Sequence, residues 1–103
     1  MRLALAQVNP TVGDVHANAA LVERGIEAAR RRGVDAVVFP ELVLSGYPPR
    51  DLLQQEGFVE ACVGEAKRIG TTRTDGLTVV LGAPLPLETS GGVGRLANSL
   101  LVY

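Results

Sequence analysis

Residues 34–47, VDAVVFPELVLSGY, pass from a run that is apolar but for Asp35 through a proline to Glu41 and then into turn chemistry. The segment 34–39 (VDAVVF), rich in valine, reads as a strand. Pro40 cannot donate to a sheet ladder and ends it. Glu41 is the sole charge among the eleven residues 37–47. A carboxylate in such company is expected to be partly desolvated, with a raised pKa suited to a general base. The same position also fits a solvated Glu in a turn, and spacing alone leaves both readings standing.

Outward from this segment the pattern alternates. Residues 2–8 (RLALAQV) carry apolar side chains on both sides and predict a buried central strand, ended by the turn formers Asn9, Pro10, Gly13 and Asp14. Residues 17–32 switch to helical spacing. Val22, Ile26 and Ala29 lie on one side, while Glu23, Glu27 and Arg30 to Arg32 lie on the other, and Gly33 is the stop. The three arginines read as a solvated face rather than a phosphate patch. Asp51 to Leu53 begin a short helical turn. A second helix is predicted over residues 56–69, with Val59, Cys62, Val63, Ala66 and Ile69 as its buried stripe. Strands follow at 77–82 (LTVVLG) and 96–103, and the proline- and glycine-rich residues 84–94 read as loop. The order β-α-β-α-β-β predicts an α/β fold: a parallel sheet with right-handed crossovers, closed by an antiparallel strand.

The chain has 103 residues, which is one domain at most. Its composition, 47% apolar and 20% charged, is globular rather than disordered. Ten basic against eleven acidic side chains give a net charge of −1, with no electrostatic footprint for nucleic acid. No apolar run reaches membrane length, and the N-terminus carries no signal-peptide pattern, so a cytoplasmic protein is expected. One cysteine and one histidine make neither a disulfide nor a zinc centre. The glycine-rich residues 91–94 precede a strand, whereas a phosphate cradle needs a helix after it. Asp14 is placed to cap the first helix or close an Asx turn, His16 reads as a surface residue, and Ser45 as part of a turn.

Taken together, ALAQVNPTVGD, the helix with its Asn18 start, DAVVFPELVLSGYPPRDLL and LANSLLVY resemble the nitrilase (carbon–nitrogen hydrolase) superfamily across the whole chain. Phe39-Pro40-Glu41 carries the superfamily likeness. Residues 9–14 (NPTVGD) together with 45–53 (SGYPPRDLL) point to the branch formed by the amidase domain of glutamine-dependent NAD synthetases. The resemblance implies the N-terminal part of an αββα four-layer sandwich, truncated within the domain, with residues 1–103 all belonging to it. It implies a Glu–Lys–Cys catalytic set, in which Glu41 matches the general base. Tyr47 matches an aromatic lining the glutamine pocket, and Asn98 a recurrent Asn with a structural role, bonding nearby loop backbone.

The chain departs from the family pattern at the other two catalytic positions. Cys62 lies in an apolar helical stripe, where a free cysteine behaves as a small hydrophobe, and Lys67 lies beside that stripe. Neither matches the family's Cys or Lys, so this segment alone is expected to be inactive. The parent activity implied is hydrolysis of glutamine to supply ammonia for ATP-dependent amidation of deamido-NAD. ATP and magnesium then belong to a separate synthetase domain, with no cofactor in this segment and a homo-oligomeric parent. A stand-alone amidase or carbamoylase, and a non-catalytic fragment, are the alternatives.

Overall fold

A computed structural model describes residues 1–72, 75–87 and 94–103. The elements are β1 (Leu3–Leu5), α1 (Val15–Arg31), β2 (Ala36–Val38), a 3-10 turn (Arg50–Gln54), α2 (Phe58–Thr71), β3 (Thr78–Leu87) and β4 (Arg95–Val102). They form one sheet in the order β1-β2-β3-β4. The β1–β2 and β2–β3 pairs are parallel, and β3–β4 is antiparallel.

Two successive right-handed crossovers in this strand order put both helices on the same face of the sheet. The core lies between the two layers. Ala19, Val22, Ile26 and Ala29 of α1 and Ala66 and Ile69 of α2 meet Val37, Phe39, Leu77, Val79, Leu81 and Ala83. Gly25 permits the close approach of α1, since a Cβ there would stand 2.6 Å from the Phe39 ring. Tyr103 ties the end of β4 to α2 through a 2.9 Å hydrogen bond from its hydroxyl to the Ala66 carbonyl. On the surface, the Arg68 guanidinium of α2 pairs with both Glu23 of α1 and Glu65 of its own helix.

These residues build one helical layer and one sheet layer, two of the four expected of an αββα sandwich. On the sheet face away from the helices, Leu3, Leu5, Leu100 and Val102 are exposed. The buried central strand expected over residues 2–8 is therefore corrected. The strand is Leu3–Leu5, at the edge of the described sheet, with its leucines in solvent.

A second correction concerns residues 84–94, expected to be loop. Residues 84–87 continue β3, with Pro84 opposite Asn98 and Pro86 opposite Leu96. The mutual bonds of Val79 and Tyr103 set the alternation of the antiparallel ladder. Counting from that pair, Pro84 and Pro86 fall at positions whose backbone nitrogens point away from β4, towards the side where β2 has already ended. Their missing N–H groups therefore cost no ladder bond.

The helices also differ slightly from expectation. The first starts at Val15, because Asp14 caps it by accepting from Ala17 N at 3.1 Å. The second runs past Gly70 to Thr71, with Gly57 in the left-handed conformation at its start. The short turn expected at Asp51 is the 3-10 segment. Of the glycine-rich stretch, residues 91–93 lie outside the described residues. No helix among the described residues is long and apolar enough to cross a membrane.

Candidate active site

The parallel strands run in one direction, so the turns after β1 and β2 emerge at the same end of the sheet, where α/β folds place their ligands. The turn after β2 is held from several sides. Asn18, one turn into α1, donates from Nδ2 to the carbonyls of Thr11 (2.8 Å) and Leu44 (3.0 Å) and accepts from Thr11 N (2.8 Å). It is fully buried. Asn18 is thus not the helix start expected from sequence but a clamp joining the turns after β1 and β2. Gly13 N adds a 3.0 Å bond to the Ser45 carbonyl. Ser45 is buried, and its hydroxyl bonds the carbonyls of Leu42 and Gly46. Gly46 has φ +76°, and a Cβ there would meet Val12 Cα at 2.6 Å, so the two turns touch backbone to backbone.

Glu41 projects from this clamped turn. The next residue, Leu42, has φ +50°, an uncommon conformation for a residue with a branched side chain. The backbone at residues 41–42 lies directly on β3 where Gly82 removes the obstacle: a Cβ on Gly82 would stand 2.6 Å from Leu42 N and 3.3 Å from Glu41 Cα. The Glu41 carboxylate reaches across to β4, where Oε1 accepts a 2.5 Å hydrogen bond from Asn98 Nδ2. Pro84 faces Asn98 and Gly82 faces Leu100, so the reach is diagonal along one face of the β3–β4 pair.

This geometry corrects two expectations. Glu41 is exposed rather than sheltered from water, and it is paired. The turn withdraws Leu42, Val43, Leu44 and Ser45 into the interior and leaves Glu41 outside, so apolar neighbours in sequence do not become its neighbours in space. Asn98, expected to bond loop backbone from the start of its strand, lies within β4 and bonds the Glu41 side chain.

The other candidate residues separate from this constellation. Tyr47 is 62% exposed beside the turn. Cys62 is fully buried on α2, and burial pushes its thiol up to about 11, so it stays a protonated core residue. Lys67 is exposed on the same helix. Asn98 shares its face of β4 with Leu100 and Val102, and that face points away from the helices, so the sheet stands between the Glu41–Asn98 pair and Cys62. His16 is a surface residue, 3.3 Å from Glu65. No group of three or more His, Cys, Asp or Glu able to hold a metal ion occurs among the described residues.

Sequence reasoning missed the roles of Asn18, Gly82 and Asn98. A signal existed for Asn98, the one polar side chain on a face otherwise formed by Leu96, Leu100 and Val102.

Comparison with known proteins agrees with this architecture. Residues 2–100 match the carbon-nitrogen hydrolase family. A glutamine-dependent NAD(+) synthetase of Xylella fastidiosa is 46% identical over 102 residues, covering 98% of this chain and 18% of that protein. A solved glutamine-dependent NAD(+) synthetase from Cytophaga hutchinsonii superposes with a TM-score of 0.83 at 28% identity, over 99% of this chain and 17% of that one. An amidase from Nesterenkonia sp. superposes with a TM-score of 0.72 at 26% identity, over 98% of this chain and 40% of the amidase. The chain therefore spans less than a fifth of the length of its synthetase relatives. With nearly every residue matched and the turn after β2 presenting its carboxylate at the ligand end of the sheet, the chain belongs to the carbon–nitrogen hydrolase family.

Proposed function

We propose that this chain forms part of the glutamine-hydrolysing amidase portion of a glutamine-dependent NAD synthetase, and that Glu41 is the general base of that site. The observation that carries the reading is the presentation of Glu41: a carboxylate on a turn clamped by Asn18, seated on Gly82 and oriented by Asn98. The likeness to synthetases over almost the whole chain supplies the reaction class.

A thiol at neutral pH is a weak nucleophile until a base takes its proton. Glu41 takes the proton of a cysteine thiol supplied elsewhere in the parent polypeptide. The thiolate attacks the carboxamide carbon of glutamine, and a lysine outside this chain supports the oxyanion. The proton held on Glu41 passes to the departing nitrogen, which leaves as ammonia, and the acyl group remains as a thioester. Water, deprotonated by the same carboxylate, attacks the thioester carbon; the C–S bond breaks, the departing thiolate takes back the proton from Glu41, and glutamate is released. Tyr47, exposed next to the turn, lines the glutamine side of the pocket.

The ammonia is used to amidate deamido-NAD at a separate ATP- and magnesium-dependent site, to which no residue of this chain is assigned. We place the parent enzyme in the cytoplasm as a homo-oligomer. In this reading the 103-residue segment alone has no activity.

The test is Glu41→Gln in the full-length enzyme. Glutamine-dependent NAD synthesis collapses while synthesis from added ammonium persists; equal loss of both, or retention of both, would overturn the assignment.

The likeness to the Nesterenkonia amidase supports a second reading, a stand-alone amidase. It requires that the full-length protein release ammonia from small amides and form no NAD from deamido-NAD and ATP.

A further inference from the structure

We propose that Asn98 is a positioning residue for the amidase reaction, acting through Glu41 rather than by touching substrate; this rests on the reading of Glu41 as the base. A glutamate side chain has three rotatable bonds and, on an exposed turn, samples several rotamers. A base must hold one oxygen within about 3 Å of the proton it takes. The bond from Asn98 Nδ2 to Oε1 fixes one carboxylate oxygen from a rigid strand and leaves Oε2 directed by that restraint.

Three features make this a built arrangement. Asn98 is the polar exception on its strand face. The β3–β4 register places it diagonally from Gly82, the residue beneath the Glu41 turn. An amide also suits the task, because its N–H group donates to an ionised carboxylate without competing for the proton. A carboxylic acid at this position would set like charges against each other.

The experiment uses the full-length enzyme with glutamine-dependent and ammonium-dependent NAD synthesis measured in parallel. Asn98→Leu, close in size and lacking the donor, lowers glutamine-dependent kcat about 10- to 100-fold. The KM for glutamine and the ammonium-dependent rate stay near wild type. Asn98→Gln, which keeps the amide, recovers part of the loss. Introduced into Glu41→Gln, Asn98→Leu causes no further fall, because its effect passes through the carboxylate.

Should Asn98→Leu fail to fold, seen as loss of the ammonium-dependent rate as well, Asn98→Asp decides. The second carboxylate disfavours the ionised base, so the acidic limb of the glutamine profile moves to higher pH. Wild-type kcat in Asn98→Leu, a full additional loss in the Glu41→Gln background, or an unmoved limb in Asn98→Asp overturns the proposal. If Glu41→Gln itself keeps glutamine-dependent synthesis, the reading of the base fails instead, so the two failures are distinct.

Discussion

The amide of Asn18 donates to the carbonyl of Leu44 across 26 residues of sequence, and this bond joins the first helix to the turn that carries Glu41. The same side chain satisfies both backbone groups of Thr11. Replacing it leaves the buried Leu44 carbonyl without its side-chain donor and Thr11 N without its acceptor, at about 1–3 kcal/mol for a buried group left unsatisfied.

Asn18→Leu should therefore be among the most destabilising single changes in this segment. Its thermal unfolding transition should fall by several degrees, and glutamine-dependent activity should fall further than the ammonium-dependent rate as the turn loosens. Differential scanning fluorimetry with the paired assays checks both; an unchanged transition would show that the clamp contributes nothing.

Gly82 gives a second handle on the same turn. A methyl group there collides with the backbone at Leu42 N, which cannot swing aside like a side-chain end. Gly82→Ala is expected to displace Glu41 and cut glutamine-dependent kcat by about 100-fold, with β3 still paired. Gly33→Ala is the control for a general glycine effect, since nothing lies within 4 Å of a Cβ at that position. A small loss from its left-handed backbone conformation should leave the rate intact.

Tyr47 is proposed to contact glutamine through its ring. Tyr47→Ala should raise KM for glutamine about tenfold, the equivalent of about 1.4 kcal/mol of binding, with kcat changed less, and Tyr47→Phe should stay near wild type. Steady-state kinetics at varied glutamine separates the two parameters; a fall in kcat alone would remove Tyr47 from the pocket.

Burial holds the Cys62 thiol protonated, its pKa raised from 9.0 to about 11. Well below pH 9 it is neutral in folded and unfolded chains alike and adds no pH dependence. As pH rises from 9 towards 11, the unfolded chain releases this proton first, so stability falls. Cys62→Ala should flatten that alkaline decline in the thermal midpoint and keep the glutamine-dependent reaction. Reaction of the native Cys62 with a maleimide at pH 7, detected by peptide mass, would contradict its burial.

The helices were legible in the sequence because each buries one stripe: Val22, Ile26 and Ala29 in one, Cys62, Ala66 and Ile69 in the other. The β-α-β-α-β-β order was legible for the same reason. The far half of β3 was not, since Pro84 and Pro86 read as breakers until the ladder shows which way their nitrogens point. Glu41 was legible as a candidate through its motif. Its surroundings were not, because its partners Gly82 and Asn98 come from strands 41 and 57 residues away, and neighbours along the chain carry no information about them. The edge position of β1 was equally hidden, since apolar residues on both faces describe composition and not which neighbours are present.

The pairing of Glu41 with Asn98 also imposes an order of events during biosynthesis. At elongation rates of about 5–20 residues per second, the ribosome adds the intervening stretch in roughly 3–11 seconds. Throughout that interval the carboxylate has already been made and its partner amide has not. Glu41 is then left without its restraint until β4 docks, so the turn is in place before the side chain that pins its carboxylate.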